Sequence, residues 1–261
     1  MLLKDRNAIV YGGSGAVGGA VARAFAREGA RVFIAARNME RMEAVAGEIR
    51  AAGGQAEVAP VDATDKDAID AHLAAIVAQA GPVKVMFNAI DWGGSQGEVL
   101  TGMEFERFFL EPRHALTTWF HTGTAAARHM AQNGGGSIVG ITANAGRQAF
   151  SHAGGFAVAC AAVEHFLRQL AIENGPKGVR ANWVRSPGSP DAPGVRAAWQ
   201  LRADEWGMSF DEVHAHFAKD TPLRYITPLA QIANAAVMLA SDYTAGMTAT
   251  MANATGGAQV D

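Results

Sequence analysis

Three glycines and one arginine near the start of the chain have the most specific chemical spacing in the sequence. Gly12, Gly15 and Gly18, with Gly13 beside them, follow an apolar run and open an alanine-rich segment. Glycine at these positions permits a tight turn, close approach of backbone to a pyrophosphate, and close seating of a helix on the strand before it. The helix start then offers free N–H groups to phosphate oxygens. Arg37 follows the next apolar run, preceded by Ala35 and Ala36 rather than by a carboxylate. An acidic side chain there would hold a ribose 2′-hydroxyl, whereas a guanidinium fits a 2′-phosphate. The expected ligand is a nicotinamide dinucleotide, NADP(H) in preference to NAD(H).

Other polar residues offer weaker chemistry. Asp91 lies just past an apolar run, where it could hold ribose hydroxyls or accept a proton, or simply cap a loop. His114 could act as an acid, or sit solvated on a helix or cap it. Ser151 and His152 share a loop that could reach a substrate. Cys160 reads as a small core residue, since a nucleophile needs a base and an electropositive setting. His214 and His216 are two apart, so on a helix they do not share a face, and no metal site is expected.

The elements that must position these residues are legible as alternating patterns. Short apolar runs at 8–11, 31–35, 56–60, 83–88, 137–142, 180–184 and 250–253 read as strands, most of them buried on both faces. Helical patterns fall at 17–28, 39–52, 66–80, 113–132, 154–174 and 228–241. Asp62 and Asp65 offer cap residues ahead of the third helix, and Gly29, Gly53 and Gly81 follow helix ends. This alternation predicts an α/β fold, a doubly wound parallel sheet of Rossmann type forming a single domain over 1–261. Ligands of such a sheet lie beyond the carboxyl ends of its strands. The proline-rich, less regular stretch 186–221 is expected to form a substrate lid with two short helical patches.

Composition excludes several classes. The chain has 261 residues, 49% hydrophobic and 18% charged, with a net charge of −3, which gives no basic footprint for nucleic acid or anionic membrane. One cysteine rules out an internal disulfide framework and fits a reducing compartment. With no signal-peptide pattern and no unbroken apolar stretch of membrane length, a cytoplasmic location is expected.

These motifs together resemble the short-chain dehydrogenase/reductase family over essentially the full chain. The resemblance rests on the glycine loop, Ala36-Arg37-Asn38, Val61-Asp62-Ala63-Thr64 and Phe87-Asn88-Ala89. It continues through Gly178-Val179-Arg180-Ala181-Asn182, Ser186-Pro187-Gly188, and Leu239-Ala240-Ser241-Asp242 to Gly256-Gly257. It implies a seven-stranded sheet, a small-molecule substrate, and a homodimer or homotetramer built through the long helices. It also implies a cofactor site drawn from Gly12, Ser14, Gly15, Val17, Gly18, Arg37, Asp62, Ala63, Asn88, Pro187 and Gly188.

The same resemblance implies that the family's catalytic Tyr and Lys, four apart on one helix face, fall at Phe156 and Cys160, and its Ser at Ala143. The helix Asn falls at Ala115, or at His114 if the alignment slips by one, and a Thr that contacts the carboxamide falls at Ala192. The tyrosines are Tyr11, Tyr225 and Tyr243, and the lysines Lys4, Lys66, Lys84, Lys177 and Lys219, so no pair replaces the missing one nearby. Phenylalanine cannot exchange a proton, and general acid–base catalysis contributes about 10²–10⁴-fold. Three functions follow from this mixture. The first is hydride transfer to an activated acceptor, with Asp91, His114, His152 or water completing the proton. The second is a non-redox isomerase or cyclase that works by positioning. The third is a non-catalytic NADP-binding partner or sensor.

Overall fold

Each strand sends alternate residues into opposite layers, and this sets the architecture. In β1 (Asn7–Tyr11), Ile9 and Tyr11 join one buried cluster while Ala8 and Val10 join another. In β6 (Val179–Ser186), Val179, Ala181 and Trp183 face the first cluster and Val184 the second. A period of two with both faces apolar is the pattern of a sheet covered by helices on each side. The structure, a computed structural model, describes residues 1–94 and 96–260.

Seven parallel strands form the sheet in the order β3-β2-β1-β4-β5-β6-β7. The remaining strands are β2 (Arg31–Ala36), β3 (Gln55–Pro60), β4 (Val83–Asn88), β5 (Gly136–Ala143) and β7 (Met251–Asn253). One face carries α1 (Ala16–Arg27), α2 (Met39–Ala51) and α8 (Leu229–Ala240). The other carries α3 (Lys66–Ala80), α4 (Phe105–Gln132) and α5 (Gly154–Asn174). The expected fold class holds throughout.

Three elements are longer than the sequence expectation. Helix α4 starts at 105 rather than 113, with Pro112 inside it. Proline cannot donate to the carbonyl four residues back, at Phe108. That carbonyl faces α5 so closely that a Cβ on Gly155 would collide with it, so the irregular turn is used for helix-on-helix contact. Strands β5 and β6 are also longer than their apolar runs, pairing from Gly136↔Val179 to Ala143↔Ser186.

Residues 186–221 contain α6 (Pro193–Trp206) and α7 (Phe210–Lys219), which enclose a small core of their own: Trp199, Ala203, Val213, Ala218 and Ile226. Gly154–Lys177 is long and apolar enough to cross a membrane by length and composition. Its Val163, Leu167 and Leu170 are buried in the sheet's core, so its apolarity is accounted for by packing.

Candidate active site

Strand order reverses between β1 and β4, and their register places Tyr11 beside Asn88 at the carboxyl edge. A crevice opens at such a reversal. The glycine loop lines it. Gly12 adopts φ +74°, a left-handed conformation open to glycine, and its amide donates to the Ala35 carbonyl at 2.8 Å. A Cβ there would lie 2.7 Å from the Ile90 amide nitrogen, so the loop rests directly on the chain leaving β4. At Gly18 a Cβ would come within 2.8 Å of the Gly13 Cα, which seats α1 against its own loop. Gly15 begins α1 without any side-chain cap. Its first-turn amides therefore remain for a ligand's oxygens. Ser14 and Val17 flank this opening, and Tyr11 packs beneath it, buried against His72 with ring centroids 5.9 Å apart.

Arg37 is exposed directly after β2, and Asn38 caps α2 by accepting the Arg41 amide at 2.9 Å. Asp62 accepts from the Thr64 amide at 2.9 Å and the Thr64 hydroxyl at 2.7 Å. These hydrogen bonds, then the charges of Arg37 and His114, hold its carboxyl below the usual range. Ala63 is buried, and its carbonyl lies 3.2 Å from His121 Nδ1. Arg37, Asp62 and Ala63 thus gather at one end of the crevice, and the bare α1 terminus with the small-residue cradle fits a pyrophosphate. Pro187 and Gly188 leave the end of β6, where Gly188 adopts φ +89° and its amide donates to the Ser186 hydroxyl at 3.2 Å.

At the opposite end the wall is apolar. Ala143 ends β5, and Phe156 and Cys160 stand one turn apart on α5. Phe156 packs against Trp92, with ring centroids 6.1 Å apart. Cys160 is fully buried, and burial pushes its thiol up to about 12, with the Glu164 and Glu111 charges adding to the rise. Beneath it lies a charged network missed by the sequence reading. Arg185 Nη2 donates to Glu164 Oε2 at 2.7 Å, the Thr142 hydroxyl donates to Glu164 Oε1 at 2.9 Å, and Arg185 Nη1 donates to Gln259 at 3.3 Å. Both members of the ion pair are buried, as is Glu111. Arg185 directly follows the run read as 180–184, and that position was the one sequence signal for it.

The structure separates several predicted site residues. Asn88 is 1% exposed; its Nδ2 donates to Thr122 at 2.9 Å and its Oδ1 accepts the Ile90 amide at 3.0 Å, which ties β4 to α4 and to the chain that leaves the strand. His114 lies close enough to Asp62, at the dinucleotide end, for its charge to act on that carboxyl. Asp91 is exposed and accepts the Gly93 amide at 3.1 Å, the capping alternative. His152 is exposed at φ +62°, with Nδ1 2.9 Å from the Ser151 hydroxyl and its carbonyl accepting the Gly97 amide at 3.0 Å.

Comparison with known proteins follows this geometry. A family model described as enoyl-(acyl carrier protein) reductase matches residues 13–259. An uncharacterized oxidoreductase of Mycobacterium tuberculosis (strain CDC 1551 / Oshkosh) is 32% identical over 246 residues, 92% of this chain and 86% of its own. Among solved structures, a variant actinorhodin polyketide ketoreductase with NADPH has a TM-score of 0.88 at 27% identity, covering 99% of both chains. A 7α-hydroxysteroid dehydrogenase complexed with NADH and 7-oxo glycochenodeoxycholic acid has a TM-score of 0.86 at 25% identity, covering 98% of this chain and 94% of its own.

Proposed function

Because the chain belongs to the short-chain dehydrogenase/reductase family, we propose that it is an NADP(H)-dependent oxidoreductase acting on an activated small-molecule acceptor without the family's Ser, Tyr and Lys. The observation that carries this reading is the contrast along one crevice. A glycine cradle with Arg37 and Asp62 stands at one end, and Ala143, Phe156 and a buried Cys160 stand at the other. Relatives solved with NADPH and with NADH support a nicotinamide dinucleotide, and Arg37 supports the phosphorylated form.

When bound, that cofactor supplies or accepts a hydride. Gly12, Gly15 and Gly18 would let backbone amides approach its pyrophosphate, Asp62 and Ala63 would meet the adenine, and Arg37 would meet the 2′-phosphate. Ala143 and Phe156 have no proton to give, and a thiol pushed up to about 12 keeps its own at neutral pH. Their contribution is to exclude water and align the acceptor. The acceptor must then absorb an electron pair without prior protonation, as a conjugated C=C–C=O, an iminium or a quinone-like ring does. In the conjugated case the cofactor would supply the hydride to carbon, the displaced pair would come to rest on the carbonyl oxygen, and the resulting enolate would take its proton from water outside this apolar wall. The enoyl reductase description of the family model accords with that case. Residues 186–221, with α6 and α7, form the lid over this end, and the cytoplasm is the proposed location.

Calorimetry of the full chain tests the cofactor reading. NADPH should bind at least about tenfold more tightly than NADH, and Arg37→Ala should remove most of that difference while sparing NADH. Loss of NADPH absorbance with enones and quinones, but not with simple ketones, completes it. No affinity for either dinucleotide overturns the assignment.

A further inference from the structure

Trp92 is a residue that no motif in the sequence singles out. It sits on the loop leaving β4, at the sheet's carboxyl edge, 8% exposed, with its ring against Phe156. It belongs to the same buried cluster as Ala145, Ala159 and Cys160. Among the described residues, nothing accepts a hydrogen bond from its indole Nε1. The loop is fixed on both sides of it, by the Ile90 amide donating to Asn88 and the Gly93 amide donating to Asp91. Trp119 and Trp183 also have unpartnered indole nitrogens, but both are 0% exposed within the helix and sheet layers. Gly140 abuts the Trp119 ring, and the Arg168 guanidinium lies 4.7 Å over the Trp183 ring. Trp92 alone of these three stands at the edge where ligands enter.

We infer that the Trp92 indole N–H is the hydrogen-bond donor that fixes a neutral carbonyl oxygen of the substrate over Phe156, making this residue a determinant of substrate class. This deepens the reading of Ala143, Phe156 and Cys160 as the substrate end and rests on it. Indole is a donor only, so it holds the oxygen and polarises the carbonyl without transferring a proton. A buried donor left unpaired is unfavourable, so the site discriminates against analogues of the same shape that lack the acceptor. Carboxylates and other strongly hydrated groups are disfavoured by the apolar wall. The substrate class is therefore an uncharged, largely apolar enone or quinone.

The test uses the full chain, ¹⁵N-labelled on tryptophan, with 2-cyclohexenone and its hydrocarbon counterpart 3-methylenecyclohexene as probes. The Trp92 indole N–H resonance, assigned by its loss in Trp92→Phe, should move downfield with the enone and stay nearly still with the hydrocarbon. The wild type should prefer the enone about fivefold or more. Trp92→Phe should lose that preference while binding the hydrocarbon as before, and Trp92→His, which restores a ring N–H, should recover part of it. If the variants do not fold, the wild-type resonance assigned by triple-resonance spectroscopy carries the test. A stationary Trp92 resonance under enone saturation overturns the inference, as does no enone binding up to its solubility, or equal loss of both probes in Trp92→Phe. NADPH affinity is measured on the same samples. A Trp92 response without NADPH binding leaves this inference standing and removes the cofactor reading, whereas NADPH-dependent enone reduction with a still Trp92 does the reverse.

Discussion

Cys160 presents the residue-scale question of whether a lone thiol beside the crevice is reactive. Its burial and the two neighbouring carboxylates raise its pKa from the ordinary thiol value to about 12, so the folded protein holds it protonated. Native protein should resist thiol reagents at neutral pH and react fully once unfolded. The same shift makes a stability prediction. Between the unfolded thiol value and about 12 the native state binds more protons than the unfolded chain, so stability is intact below that window and falls as pH rises through it. Cys160→Ala should flatten this alkaline decline, read from urea unfolding at stepped pH; an unchanged slope would count against the buried thiol as its cause. At this scale the sequence was most legible where residue type alone decides geometry. Gly12 must adopt a positive φ and Gly18 must admit close backbone, and both requirements show in the spacing. Trp92 was not legible, because an unpaired donor is a property of what surrounds the side chain.

Helix α5 and strands β5 and β6 are held together by charge as well as by apolar contact. Glu164 on α5 takes hydrogen bonds from Thr142 on β5 and from Arg185 on β6, and Arg185 reaches on to Gln259. Gln259 in turn donates to the Asn144 carbonyl at 2.8 Å, tying the chain beyond β7 to the loop after Ala143. Removing one member of a buried ion pair costs about 3–5 kcal/mol. Glu164→Gln should therefore destabilise the fold by about 3 kcal/mol in urea unfolding. Glu164→Leu combined with Arg185→Met should recover most of the loss, since desolvation of both charges is then avoided. Equal destabilisation by the single and double variants would place the effect in packing instead. Strand positions were readable in advance because runs such as 83–88 are apolar on both faces, whereas the full lengths of β5 and β6 were not. Their last residues, Ala143 and Ser186, extend past the apolar runs through pairing with each other, which is a tertiary condition.

At the scale of the whole molecule, the sheet's two cores account for the buried faces of α4 and α5 but not for an outer apolar strip. Phe120 is 57% and Leu116 38% exposed on α4, and Phe166 on α5 lies beside them, its ring 6.4 Å from that of Phe120. Together with Thr117 and His121 they line a shallow surface cavity. Val158 and Ile172 continue the exposed apolar character along α5. A soluble chain rarely leaves a contiguous strip of this kind in water, and two long helices offer a flat surface that a second copy can match by a twofold axis. The expected assembly is a homodimer through this face, further copies adding by a second contact if it is a tetramer. Phe120→Glu with Leu116→Glu changes side chains that the single chain leaves partly in solvent, so the thermal midpoint of the isolated fold should move only modestly. Burying two carboxylates in the interface is strongly unfavourable, however, so the mass measured by light scattering should fall to that of a single chain. A wild type that is already monomeric at tens of micromolar, or a double variant that keeps its mass, would assign the strip to some other contact.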